Sequence, residues 1–173
     1  MANKKKFTDS KSYDIRYSDL SDLSALQSWL KTKGMLHWFP PSNAQELENF
    51  IKVWMSFSRY SASLTSVYEK TPIGIGTLFL MPYRKVAHQC MFQIVVDPDF
   101  QRKGVGSSLI KNLKHLAKTQ FRQEYIYAEI FDENPLTVLL NQQGFKEFAR
   151  QEKYVKEKDS YFPRILMGCD LLE

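Results

Sequence analysis

Val96-Asp97-Pro98-Asp99-Phe100-Gln101-Arg102-Lys103-Gly104-Val105-Gly106 joins an apolar run, His88 to Val96, to an amphipathic stretch that continues to Thr119. The run before it suits a buried strand and is halted by Asp97-Pro98. The stretch after it sets Val105, Leu109, Leu113 and Leu116 at helical spacing, so a helix is expected from Gly104 to about Thr119. Strand, tight turn and glycine-opened helix form a layout for binding an anion. The first turn of a helix carries amide N–H groups without internal partners, and the macrodipole places positive charge there. Glycine at 104 and 106 lets a diphosphate come close to the backbone because no Cβ intervenes. Arg102 and Lys103 add mobile positive charge at the same place. Two familiar phosphate loops do not fit: Gly106 is followed by Ser107-Ser108 rather than Lys-Ser/Thr, and Leu109 stands where a dinucleotide fingerprint needs glycine.

Outward from this segment the chain alternates strand and helix patterns. Tyr13 to Tyr17 alternates as a short strand, and Asp19 or Ser21 can cap a helix that runs to about Lys33 and stops at Gly34. An apolar, proline-closed loop follows, Met35-Leu36-His37-Trp38-Phe39-Pro40-Pro41. Ser42 or Asn43 then caps a helix to about Ser58. Ala62 to Glu69 and Ile73 to Leu80 read as a hairpin turning at Thr71-Pro72. Beyond the central helix, Tyr125 to Phe131 is a strand and Pro135 to Gln142 a short helix that Gly144 ends as a C′ glycine. Phe145 to Val155 and Arg164 to Leu172 are the last two strands. The order β-α-α-β-β-β-α-β-α-β-β describes an α/β (α+β) mixed sheet flanked by helices, one domain over residues 12–173 behind a flexible tail at 1–11.

Composition agrees with a globular domain: 173 residues, 43% hydrophobic and 25% charged. Cys90 and Cys169 lie in separate apolar runs and make no disulfide framework. The start, Met1-Ala2-Asn3-Lys4-Lys5-Lys6, is followed by no apolar segment, and no run is long enough to span a bilayer, so neither signal peptide nor membrane partner is expected and the cytoplasm is the expected location. The net charge of +5 is spread among acids, as in Lys146-Glu147 and Glu152-Lys153, which argues against a nucleic-acid partner and still favours an anionic cofactor. His37, His88 and His115 share no ligand spacing, so no metal site is expected.

The segment from Val96 to Gly106 resembles the hallmark of the Gcn5-related N-acetyltransferase (GNAT) superfamily, Gln/Arg-x-x-Gly-x-Gly/Ala after a strand ending Val-x-Pro. Asn134-Pro135 through Gly144-Phe145 is similar to a second element of that superfamily, and Lys153-Tyr154-Val155-Lys156 with Tyr161 and Leu166-Met167 is similar to its last two strands. The resemblance covers about residues 12–172. It implies the acyl-CoA N-acyltransferase fold: a mostly antiparallel seven-stranded sheet with about four helices, splayed after a bulge in its fourth strand. It also implies acetyl-CoA as cosubstrate and an amine acceptor. Backbone groups of Ile94, Val95 and Val96 would pair with the pantetheine arm, the segment Gln101, Arg102, Lys103, Gly104, Val105, Gly106 with Ser107 would take the pyrophosphate, and Asn134 would bind the arm from the other side. Homodimers are frequent in the superfamily.

Acetyl transfer needs a neutral amine, so a carboxylate that takes its proton is expected. Glu129 is the candidate base. It lies five residues before Asn134, as does a glutamate of the superfamily's ribosomal-protein N-terminal acetyltransferases; the competing reading is a structural ion pair. Many members place a tyrosine in the next helix to reprotonate the CoA thiolate, yet the corresponding positions here are Leu140 or Asn141. Tyr154 and Tyr161 are the other candidate donors, though tyrosines at strand positions more often pack. This departure keeps open an acyl-CoA-binding sensor that has lost catalysis. The aromatic loop Leu36 to Pro40 suits an apolar amine, unless Trp38 and Phe39 simply pack beneath it.

Overall fold

The computed structural model describes residues 13–131 and 133–172, so the expected tail at 1–11 lies outside the described residues. Its seven strands are β1 (Asp14–Tyr17), β2 (Ser63–Tyr68), β3 (Thr71–Leu80), β4 (Gln89–Val96), β5 (Tyr125–Phe131), β6 (Lys146–Glu157) and β7 (Ser160–Asp170). Its helices are α1 (Leu23–Leu30), α2 (Ala44–Ser56), α3 (Val105–Thr119) and α4 (Leu136–Gln142). The strands form one sheet in the order β1-β2-β3-β4-β5-β7-β6. Among the described strands only β4 and β5 run parallel, and α3 makes the crossover between them.

The sheet separates two cores. On one face Ile75 and Val95 pack with Leu26, Leu30, Ile51 and Trp54 of α1 and α2. On the other, Phe92, Ile94, Ile126, Ala128 and Ile130 pack under α3 and α4 through Leu109, Ile110, Leu113 and Leu140. The central helix presses close because β3 offers glycine beneath it. A Cβ at Gly74 would stand 3.1 Å from Leu109, and one at Gly76 would stand 2.6 Å from Leu113.

Between α2 and the sheet runs a chain of buried polar groups. Trp54 Nε1 donates to Thr77 Oγ1 (2.8 Å), which bonds Ser63 Oγ (2.6 Å); Ser63 reaches Ser18, Ser18 reaches Thr65, and Thr65 donates to Asp22. Arg16 closes the chain on Asp22 with two bonds of 2.8 Å, and this pairing raises its guanidinium pKa further. A row of polar groups sealed from water is tolerable because each finds a partner.

Element boundaries shift at the ends. α1 stops at Leu30, and after α2 the chain tightens into a 3₁₀ turn, Phe57–Tyr60. The first hairpin turns at Glu69-Lys70, both at positive φ (46° and 70°), while Thr71 and Pro72 are already paired in β3. The expected bulge in the fourth strand is absent from its pairing with β3, which runs unbroken from Gly74↔Val96 to Leu80↔Cys90. A register shift falls instead between β2 and β3 at Ser66/Val67. β4 registers with β5 only from Gln89↔Tyr125 to Phe92↔Ala128, so Gln93 to Val96 have no strand on that side.

Candidate active site

Where β4 leaves β5 a cleft of about 630 Å³ opens. One wall is the end of β4 and the start of α3. Asp97 caps the turn after β4 by accepting from the Asp99 amide at 2.9 Å. Gln101 is extended and donates from Nε2 back to Val96 O at 3.2 Å, pinning the loop to the strand. Arg102 (φ 58°) and Gly104 (φ 83°) are left-handed, a conformation that in loops lets successive amides form an anion-binding concavity. The first helical bond of α3 is Ser108 N–H to Gly104 O, so the amides of Val105, Gly106 and Ser107 have no carbonyl within the helix.

Strand geometry aims one further amide. Asp97 N–H donates to Ile73 O on the β3 side at 2.9 Å. Successive peptide groups of a strand alternate in direction, so Val96 N–H and the backbone groups of Ile94 point the other way, into the parting from β5.

The opposite wall comes from β5 and α4. Glu129 is half-buried and lines the cleft. Its Oε1 lies 3.4 Å from Arg164 Nη1, and Oε2 makes no bond among the described residues. Arg164 is itself fixed: Nη2 donates to Gln151 at 3.0 Å and the guanidinium lies 4.0 Å over the Tyr154 ring. Asn134 lines the cleft while its Oδ1 accepts from Leu136 N–H at 2.9 Å, which caps α4. Ser107 Oγ accepts from Gln143 at 2.8 Å and ties α3 to the end of α4. Met35, Trp38, Phe39 and Pro40 form the apolar lip, with Phe39 resting on Trp54 at 6.0 Å between ring centroids.

Of the residues expected from sequence, Ile94, Val95, Val96, Gln101, Arg102, Gly104, Gly106, Ser107, Glu129 and Asn134 border this one cleft. Lys103 and Val105 do not. Lys103 Nζ donates to Asp99 O at 2.8 Å and lies over the Phe100 ring, and the Val105 side chain is buried in the core. Leu140 is fully buried beside Phe145, and Asn141 points to solvent away from the cleft. Among the described residues that line the cleft none is tyrosine, histidine or cysteine. Tyr154 and Tyr161 are exposed on the last hairpin instead. Two neighbours escaped the sequence reading. Arg164 carries no motif, and Gln93 hides in an apolar run whose period reads only as strand. Among the described residues no His/Cys/Asp/Glu group could hold a metal ion, and no helix is long and apolar enough to cross a membrane.

Comparison with known proteins follows the same geometry. The model of the acetyltransferase (GNAT) family matches residues 24–145. No curated protein sequence matches significantly. Solved structures do match in fold. A ribosomal-protein-alanine N-acetyltransferase from Brucella melitensis superposes with TM-score 0.77 at 19% identity, covering 91% of this chain and 99% of that one. An N-acetyltransferase from Staphylococcus aureus Mu50 gives 0.75 at 18%, covering 92% and 98%. A Salmonella typhimurium protein solved with its cofactor acetyl-CoA gives 0.75 at 18%, covering 93% and 95%.

Proposed function

The chain belongs to the GNAT family of acetyltransferases, and from that premise we propose that it moves the acetyl group of acetyl-CoA to a primary amine by direct attack within a ternary complex. The observation that carries this reading is the joining, in one cleft, of the α3 N-terminus, the unpaired end of β4 and the Glu129 carboxylate.

The residues present fit the cosubstrate. Three amides at the start of α3 lack helical acceptors and suit a pyrophosphate. A Cβ at Gly106 would stand 3.1 Å from Leu139 and 3.8 Å from Val96, filling the space between helix and strand that a phosphate needs. Arg102 adds charge at the same mouth, while Lys103, held on Asp99 O, steadies the turn. Backbone groups of Ile94 and Val96 offer a ladder to an extended amide-bearing arm, and Asn134, just before α4, lines the other side of the cleft.

Acetyl-CoA supplies a thioester whose carbonyl carbon takes the amine lone pair while the C–S bond breaks. Val96 N–H donates to the carbonyl oxygen as negative charge gathers there. Glu129 accepts the proton that the attacking nitrogen loses and passes it to water. The departing thiolate takes its proton from water, because none of the described residues that line the cleft is tyrosine. The lip of Met35, Trp38, Phe39 and Pro40 carries no charge and supports an acceptor with an apolar group beside its amine.

Calorimetry with acetyl-CoA followed by a thiol-release assay over an amine panel tests the proposal. Saturable binding and amine-dependent release of CoA are expected. Glu129→Gln should leave acetyl-CoA affinity unchanged and lower kcat/KM by about 10²-fold; an unchanged rate and pH profile would remove Glu129 from its role. Binding without release on any amine would favour the second reading, an acyl-CoA sensor, which the absence of tyrosine, histidine and cysteine among the described lining residues supports.

A further inference from the structure

Gln93 stands immediately beyond the last registered pair of the parting strands, Phe92↔Ala128, and Glu129 stands immediately beyond it on the other side. Side chains alternate along a strand, and Phe92 and Ala128 both enter the core under α3. Gln93 and Glu129 therefore share the opposite face, where Val95 meets α1 and α2 and where the aromatic lip lies. Both line the cleft. They flank the mouth of the gap through which a nucleophile must approach.

Gln93 is also chemically unfinished. Its Oε1 is buried and receives no hydrogen bond from any described residue. Thr77, its partner across β3, is already engaged with Trp54 and Ser63. A buried carbonyl oxygen without a donor is a standing cost of about 1–3 kcal/mol, which a donor brought by a ligand removes. The neighbouring Glu129 Oε2 is a second acceptor without a donor among the described residues.

We propose, on the acetyltransfer reading above, that Gln93 Oε1 and the Glu129 carboxylate receive the two N–H groups of the attacking primary amine, and that this pair selects primary amines over secondary amines and alcohols. A neutral primary amine has two N–H bonds and one lone pair. With one N–H on each wall, the lone pair is left for the carbonyl carbon in the gap. As the C–N bond forms, the N–H on Glu129 gives up its proton to the carboxylate, and the N–H on Gln93 remains as the amide N–H of the product. The C–S bond breaks with its electron pair on sulfur, which water protonates. A secondary amine or an alcohol has a single hydrogen to offer. One of the two acceptors then stays unserved, and an N-methyl group would be pressed against it.

The test compares matched acceptors, alaninamide with N-methylalaninamide and phenylethylamine with N-methylphenylethylamine, in wild type, Gln93→Met and Gln93→Glu. Wild type should favour the primary member of each pair. Gln93→Met keeps the volume and loses the acceptor. It should lower kcat/KM for the primary amine about tenfold while leaving the N-methyl amine unchanged, so the preference falls by the same factor. Gln93→Glu restores an acceptor oxygen and should restore the preference. Calorimetry gives a readout apart from turnover. Affinity for acetyl-CoA should match wild type in both variants, and affinity of the CoA-bound protein for the primary amine should fall only in Gln93→Met. An unchanged preference in Gln93→Met overturns the proposal. If that variant does not fold, Gln93→Glu decides, and loss of the preference there overturns it. Wild type that releases no thiol with any amine overturns the acetyltransfer reading itself, and this one with it, before a variant is made.

Discussion

Two glycines two residues apart, Gly104 and Gly106, should fail in opposite ways when given side chains. Gly104 sits at φ 83°, ψ −6°, the left-handed N-cap of α3. A Cβ there meets only the Tyr13 hydroxyl, at 3.8 Å, so space is available and conformation is the whole cost. An L-residue in the left-handed region costs about 1–2 kcal/mol. In a chain of this size each kcal/mol lowers Tm by about 2–4 °C, so Gly104→Ala should melt about 2–8 °C below wild type. The amides of Val105 to Ser107 keep their aim, and acetyl-CoA affinity should stay within about threefold. Gly106 lies inside the first turn of α3, where Val costs little conformationally. Its Cβ would stand 3.1 Å from Leu139 and 4.0 Å from Ile94, and the valine methyls would occupy the approach to the helix amides. Gly106→Val should therefore keep Tm within a few degrees and weaken acetyl-CoA by at least about tenfold, the loss of one charge-assisted hydrogen bond. Differential scanning fluorimetry and isothermal calorimetry on the two variants suffice. Wild-type affinity in Gly106→Val would refute the placement of the diphosphate at this helix start.

Thr77→Val leaves the Trp54 N–H and the Ser63 hydroxyl without their shared partner and should cost about 1–3 kcal/mol in urea unfolding with an unchanged m-value; an unmoved midpoint would mean that the buried polar chain is not structural. Cys90 is fully buried, and burial pushes its thiol up from 9.0 to about 12. The folded pKa lies above the unfolded one, so the protonated thiol contributes stability below pH 9 that is lost as pH rises toward about 12. Cys90→Ala should remove that part of the alkaline loss, and folded wild type should resist a disulfide reagent at pH 8; rapid labelling of Cys90 would contradict its burial.

The sequence pattern was most legible where burial alternates, as in Ile126, Ala128 and Ile130 of β5, whose ends it matched residue for residue, while β2, β3 and β6 show no such alternation. It misjudged turns whose conformation has no composition signal. Glu69-Lys70 turns the first hairpin with two non-glycine residues at positive φ, so Pro72 drew the expectation to the wrong dipeptide. The last strand was expected from Arg164, whereas β7 begins at Ser160 and includes Pro163, which cannot donate to a ladder. The chain solves this locally: pairing with β5 ends at Arg164, and β6 bulges between Gln151 and Val155, with Lys153 at φ 54°. That bulge sets Tyr154 over Arg164, and so Arg164 beside Glu129. In the site, the helix-start glycines were legible because few other residues serve there. Gln93 was not, since nothing in a run of strand residues tells which polar member faces a cleft. Spacing left the expected acid position between Leu140 and Asn141; that Leu140 is fully buried in the core with Phe145 depends on the packing of α4.

The half-length seam between β4 and β5 has a mechanical meaning. Among the described residues, four registered pairs of β4 and β5, with the Glu124 and Tyr125 amides on His88 O just before them, make the backbone join between the β1–β4 half of the sheet and the β5–β7 half. The protein is thus built as two stiff leaves on a short spine. An arm hydrogen-bonded along Ile94 and Val96, as proposed, lengthens that spine for as long as it stays. Slowed amide exchange on β4 and narrower motion between the leaves would then rise and fall with occupancy, so that rigidity is delivered by the cosubstrate and returned with the product.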